Sequence, residues 1–283
     1  MSLRARARLS NGVIYAILGV LSLVWVLPIA YLVILSFKVE RGPTLDGYIM
    51  PKGYTLGNYI ALFTETTSFN YPQWFMNTLL VAILSCVIST AFVLMVAYTL
   101  SRLRFAARRP IINVALILGM FPGFMSVIAI YHLLKLAGLD KTLAALVLVY
   151  SGGAGLGYYI VKGFFDTIPR ALDEAALLDG ATRWQTFYKL TLPMSTPIIT
   201  YAVLTSFMGP WVDFILAGVI MKDNYQSYTI ALGLFHMLDR EHITTYYTSF
   251  CAGAVLVAIP IAVLFMFMQK NYVEGVTGGA VKG

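Results

Sequence analysis

The sequence predicts an all-α membrane protein with six transmembrane helices. Three observations carry that prediction: the composition, six apolar stretches of spanning length, and the way basic residues fall between them. Of the 283 residues, 59% are hydrophobic and 12% are charged, against about 25% charged in an ordinary soluble domain. The mean hydropathy is +0.78. The net charge of +7 reads as topology rather than nucleic-acid binding, because basic residues accumulate on the cytoplasmic side of membrane proteins.

The first apolar stretch covers residues 13–35, behind Arg4, Arg6 and Arg8. That order resembles the charged and apolar regions of a signal peptide. The run is too long for one and offers no convincing small-residue cleavage site. About 20 helical residues cover a ~30 Å hydrocarbon core, so it is expected to be retained as the first span. The others fall at about 75–100, 111–136, 143–164, 197–221 and 249–268. Six spans place both termini on one side. With the N-terminus inside, 13 of the 20 Lys and Arg residues lie in inner segments and seven in outer ones. This bias predicts N-in and C-in.

Two long outer loops are expected, over 38–74 and 222–248, and a tight turn over 137–141. "PKGYTLGNYIALF" predicts a short interfacial helix from about Leu56, with Tyr54, Tyr59 and Trp74 suited to the headgroup level. "QSYTIALGLFHML" has alternating then helical apolar spacing, which suggests a segment dipping back toward the membrane. No period of 20–50 residues repeats. Residues 1–283 read as a single transmembrane domain. Cys86 and Cys251 lie in apolar stretches and do not suggest a disulfide. His132, His236 and His242 do not cluster as metal ligands. No GxxxxGK[ST] nucleotide-binding motif is present, so the chain does not power itself through that chemistry.

The polar stretch between the fourth and fifth spans, about 165–195, is specified as helix, glycine turn, helix. Pro169 suits a first helical position. Asp173 and Glu174 fall in early turns, where the helix dipole favours acids. Ala171, Leu172, Ala175, Ala176 and Leu178 recur at helical spacing. Gly180 stands where a left-handed cap is wanted, and Thr182 can cap a second helix through Trp184, Phe187 and Leu190. Pro193 and Pro197 prevent continuation in register. Glu174 and Asp179 are five residues apart, about 500° around a helix, so they diverge and do not form a catalytic pair. Two readings stand: a surface hairpin that merely joins two spans, or a docking hairpin. The low surface at Ala175–Ala176 and the aromatic patch of Trp184, Phe187 and Tyr188 favour docking.

"EAALLDGATRWQTFYKLTLP" also resembles the signature EAA-x3-G-x9-[IL]-x-LP of membrane subunits of bacterial ABC importers. Glu174, Ala175, Ala176, Gly180, Leu190, Leu192 and Pro193 fill every marked position. The C-terminal "YVEGVTGGAVKG" resembles the tail of sugar-importer permeases of the maltose/maltodextrin class, specifically the smaller of the two membrane partners. The resemblance implies the type I ABC importer permease fold in the bacterial cytoplasmic membrane. It implies that the hairpin, with Asp179 among its residues, is a coupling helix docked on a separate ATPase. It also implies that tail residues 270–283, with Gly278, Gly279 and Lys282, reach toward the ATPase pair. The implied partners are a second permease, two ATPase subunits carrying ATP and Mg2+, and an extracytoplasmic sugar-binding protein. No cofactor is expected in the chain itself.

Polar groups inside spans are functional candidates. Asp213 is the one acid within an apolar stretch, and Trp211 beside it could stack on a sugar. The competing reading is that Asp213 satisfies backbone groups freed by a break at Gly209–Pro210. Tyr158 and Asn77 are further candidates, as are Asn113 and Ser126. "SGGAGLG" places Gly153 and Gly157 at small-xxx-small spacing, which favours close helix packing. Pro122, with Gly119 and Gly123, predicts a kink in the third span. An ion-coupled secondary transporter is the main rival class, and it usually carries more intramembrane ionisable groups and internal repeats. Other sugars of the galacto- or raffinose-oligosaccharide type are alternatives within the leading class.

Overall fold

A computed structural model describes residues 3–43, 50–120, 123–153 and 157–280; for 3–10, 124 and 271–280 it describes the backbone alone. Among the described residues the chain is helical throughout, with no strand beyond an isolated bridge between Lys38 and Tyr54. The expected all-α class is therefore seen. Three continuous helices are long and apolar enough to cross a membrane, and two bent helix pairs bring the number to five at most. The expected third span is divided into shorter helices, and Pro122 lies outside the described residues.

One compact unit comprises residues 1–69 and 236–256. Its first element, α1 (Leu3–Ser36), contains Pro28. Leu23, Trp25 and Leu27 of α1 lie on the surface, a face that only lipid or a protein partner matches. The short helix predicted from Leu56 is present as α2 (Gly57–Thr64). It is tied to the end of α1: the Asn58 amide donates to the carbonyls of Ser36 and Lys38 at 2.9 and 2.8 Å, and the Ser36 and Tyr59 hydroxyls lie 2.7 Å apart.

The second unit comprises 70–235 and 257–283 and is organised around α3 (Tyr71–Arg102). Asn70 caps α3 through the Gln73 N–H, and Pro follows in the first turn, where its missing donor costs nothing. At 1.5 Å per residue α3 is about 48 Å long, well beyond a ~30 Å hydrocarbon core. After it come α4 (Arg108–Gly119), α5 (Gly123–Leu136), α6 (Leu143–Gly152) and α7 (Gly157–Thr167). The helical hairpin follows as α8 (Arg170–Leu178), α9 (Arg183–Gln185) and α10 (Leu192–Met194), with a π turn over Thr186–Thr191 between the last two. After a sharp bend the chain continues as α11 (Thr196–Val212), α12 (Ile215–Met221), a 3₁₀ turn Tyr225–Ser227, α13 (Ile230–Met237) and α14 (Ile243–Ala280). Helices α6, α7 and α11 pack on α3. Ala82, Ala97 and Ala202 are small enough at these seams to let backbones approach, and Val93, Val161 and Phe165 fill the remaining space.

Trp74, expected to suit the headgroup level, is fully buried within the protein. Its indole N–H donates to the Tyr225 carbonyl at 3.0 Å. Gly233 lies so close that an added Cβ would enter the indole ring. Asn77, one turn on, donates to the carbonyls of Gln226 and Tyr228 at 2.8 and 3.0 Å, and the Thr78 hydroxyl accepts the Ile230 N–H at 2.7 Å. The segment 225–233 is thus held on α3 by side chains that hydrogen-bond its backbone groups.

Candidate functional site

The hairpin is built as its residues dictate. Pro169 is the N-cap of α8, one position earlier than expected, and Asp173 falls in the first turn. Gly180 has φ +86°. The Ala181 N–H bonds to the Ala176 carbonyl at 2.9 Å and the Gly180 N–H to Leu177 at 3.1 Å, the pair of bonds that defines a Schellman close. Thr182 then opens the second arm with a capping box: its hydroxyl accepts the Gln185 N–H at 3.2 Å, and the Gln185 side-chain Oε1 accepts the Thr182 N–H at 2.8 Å. The second arm is not a plain α-helix. It takes a π turn over Thr186–Thr191 ahead of Pro193, and the Leu192 N–H bonds to the Phe187 carbonyl five residues back. A wide turn suits a proline that has no N–H to bond and crowds the carbonyl four residues before it. The chain then bends by 84° into α11.

Both arms are anchored on α3. Arg102, with its side chain 4% exposed, pairs with Asp173 at 3.1 Å. The same guanidinium donates to the Phe165 and Ile168 carbonyls at 2.9 and 3.0 Å, closing the end of α7. One turn earlier, the Tyr98 hydroxyl donates to the Arg183 carbonyl at 3.2 Å, and its ring lies 4.7 Å from that of Phe187. Phe187 is therefore core, not part of an exposed patch as the sequence suggests. Trp184 and Tyr188 remain on the surface. So do Glu174, Ala175, Asp179, Gly180 and Pro193, while Ala176 and Leu190 are half-buried. Leu178 is 90% exposed. The hairpin thus presents exposed apolar and charged side chains on a fixed mount. Between its arms and α3 lies a cleft of about 360 Å³ bordered by Arg102, Arg104, Arg170, Arg183, Asp173 and Glu174.

The second feature is a cavity of about 740 Å³ among α3, α5, α6, α7 and α11. Asp213 is on its wall, at the break between α11 and α12. The break comes three residues after Gly209–Pro210, through which α11 continues. One carboxylate oxygen accepts the Leu216 N–H at 3.0 Å and the other accepts the Tyr150 hydroxyl at 3.0 Å. Asp213 therefore does satisfy a freed backbone group, and it also faces the cavity. Ser89, Ser126, Tyr201, Thr205 and Ser206 bring hydroxyls to the same wall; those of Ser89 and Ser206 are 3.2 Å apart.

The other sequence candidates are elsewhere. Trp211 is buried against Phe75, edge to face at 5.2 Å. Tyr158 packs into the core with Val161 and Phe165. Asn77 holds the 226–228 segment, as described. None of the three borders the cavity. Gly153 borders it with open space where a Cβ would be, rather than packing tightly; a Cβ added at Gly157 would meet Val93 at 3.7 Å. Asn113 is outside its wall. Gly278 and Gly279 continue the α14 backbone, and Lys282 lies outside the described residues. Sequence reasoning missed Tyr150 and the Ser89–Ser206 pair. Tyr150 is 63 residues from Asp213 and carries no local signal, whereas the one-turn spacing of Ser85 and Ser89 on α3 could have drawn notice.

Comparison with known proteins agrees with this architecture. Residues 2–277 match the family described as binding-protein-dependent transport system inner membrane component. The chain is 34% identical to the galactooligosaccharides transport system permease protein GanQ of Bacillus subtilis, over 95% of this chain and 94% of that protein. It is 32% identical to the maltodextrin transport system permease protein MalD of Streptococcus pneumoniae, over 100% and 99%. A crystal structure of a bacterial ABC transporter that imports the acidic polysaccharide alginate superposes with a TM-score of 0.77 at 20% identity, covering 95% of this chain and 98% of that one; it shares the fold. The helical scaffold, the hairpin and these relatives together show that this chain belongs to the binding-protein-dependent transport system inner membrane components.

Proposed function

We propose that this chain is one of two membrane subunits of an ATP-driven sugar importer in the bacterial cytoplasmic membrane, with a maltodextrin-like oligosaccharide as the leading cargo. The single domain crosses six times with both termini inside, in keeping with the basic-residue bias of the sequence. A second permease completes the pathway. Two ATPase subunits bind ATP and Mg2+, and an extracytoplasmic protein delivers sugar. The chain itself holds no cofactor and performs no chemistry. Closure of the ATPase pair moves each hairpin, and the spans alternate between inward-open and outward-open states that the ligands bias.

The observation that carries this reading is the hairpin: a signature-bearing element with an exposed outer face and a buried ionic mount. Glu174, Ala175, Ala176, Asp179, Gly180, Leu190 and Pro193 form the ATPase-coupling element, and the tail through Gly278, Gly279 and Lys282 is a second contact. Glu174 is free to meet a cation or helix end on the ATPase, and Gly180 makes the turn that presents it. Glu174→Lys or Gly180→Pro should leave the protein inserted and abolish sugar uptake in proteoliposomes of the assembled importer. Undiminished uptake with the ATPase still copurifying would reject the coupling role. Uptake by this chain alone in vesicles would reject the ATP-driven reading in favour of a secondary transporter.

A further inference from the structure

We infer that Asp213 selects uncharged, hydroxyl-rich glycans and rejects uronate-bearing ones, with Tyr150 beside it adding an acceptor that serves both, an inference that rests on the sugar-importer reading above. The cavity of about 740 Å³ is within the ~300–1,000 Å³ range of small-molecule sites. Its described wall carries one carboxylate, Asp213, several hydroxyls, and no Lys, Arg or His.

The hydrogen-bond polarity of the pair decides what it takes. A carboxylate offers about four acceptor positions and no donor. The Leu216 N–H and the Tyr150 hydroxyl occupy one on each oxygen, which leaves about two. Tyr150 has its proton committed to Asp213, so its own oxygen also presents lone pairs. The pair therefore offers acceptors, and sugar hydroxyls are donors that match them. A uronate carboxylate brings further acceptors and a second negative charge. At about 6 Å from Asp213 and an effective dielectric constant of about 20, the repulsion amounts to about 100-fold in affinity. The alginate importer has the same fold, so the fold does not set the charge of the cargo. That leaves a part for the wall residues.

The test is equilibrium competition binding to the assembled importer, both permeases with their ATPases, in nanodiscs and without the binding protein, whose own selectivity would otherwise enter. The probes are a neutral glucose trisaccharide and a glucuronate trisaccharide. Wild type should prefer the neutral probe by 10- to 100-fold. Asp213→Asn keeps a carbonyl oxygen for the Leu216 N–H, and should bring the preference to within about threefold by strengthening uronate binding. Tyr150→Phe leaves the charge in place and should preserve the preference while weakening both probes. Equal binding of the two probes by wild type overturns the inference, whatever the variants do. An unchanged preference in Asp213→Asn assigns Asp213 to helix capping alone and also overturns it. Binding of neither probe by wild type rejects the sugar reading itself, and the inference falls with it.

Discussion

Removing the guanidinium of Arg102 should loosen the hairpin from the membrane helices without touching any residue of its outer face. Arg102→Met keeps most of the aliphatic stem and deletes one ion pair and two carbonyl hydrogen bonds. The Arg102 and Asp173 side chains are 4% and 15% exposed, so solvent screens the pair little. Hydrogen bonds to charged groups contribute about 1.5–3 kcal/mol each, and breaking a buried pair from one side costs about 3–5 kcal/mol. These terms overlap because one group makes all three contacts, so the loss is about 3–5 kcal/mol rather than their sum. Local opening of the α7–α8 junction should become easier by that amount. Amide hydrogens in α8 should then exchange on the order of 10²–10⁴ times faster. Sugar moved per ATP hydrolysed should fall in the same variant, because a loosened mount dissipates the ATPase movement. Arg104→Met is the control: it borders the same cleft and changes the charge equally. Exchange in α8 within threefold of wild type for Arg102→Met, or an equal effect from Arg104→Met, would refute the mount.

Two further outcomes follow from other contacts. Gly233→Ala drives a methyl group into the fully buried Trp74, so overpacking should cost about 1–3 kcal/mol, seen as a lower unfolding temperature in detergent; a pairing of Gly233→Ala with Trp74→Phe should recover part of it. Lys141 and Asp223 join the 137–142 turn to the 222–227 turn, and their hydrogen bond lowers the Asp223 pKa and raises that of Lys141. The Asp223 contribution is present above its unfolded value and is lost as pH falls through its depressed folded value. The Lys141 contribution is present below its unfolded value and is lost as pH rises through its raised folded value. Proteolytic protection of the 222–227 turn should therefore hold at neutral pH and decline at both extremes, and Asp223→Asn should remove the acid-side decline.

The sequence revealed the parts of this protein that depend on local chemistry. The Gly180 turn, the Thr182 cap and α2 after Leu56 each rest on side chains within a few residues of the backbone they shape, and all three are present. It misjudged features set by tertiary contact. Trp74 and Phe187 are aromatic residues beside polar stretches, which suggests an interface or a surface patch; their burial depends on Gly233 and Tyr98, each distant in sequence. The cavity was half legible. Asp213 stands out in an apolar run, but its partner Tyr150 does not, and Trp211 two residues away points to a different neighbourhood. The π turn before Pro193 was legible only as a disturbance of register. Arg102 reads as one of four basic residues obeying a charge bias, and nothing local shows that it closes α7 and pairs with Asp173.

The double attachment of the hairpin has a mechanical consequence. A body pinned at one point swivels, and a push on it turns the body rather than what it is pinned to. The hairpin is fastened to α3 at Tyr98 and again at Arg102, one helical turn apart, each fastening taking a different arm. Such a joint resists swivelling and converts a sideways push into torque on the shaft. Ser89, on the cavity wall, lies 13 residues up that shaft from Arg102, about 20 Å at 1.5 Å per residue. A tilt of α3 by about 10° about its lower end would displace Ser89 by about 3–4 Å over that length, comparable to the 3.2 Å that separates its hydroxyl from that of Ser206.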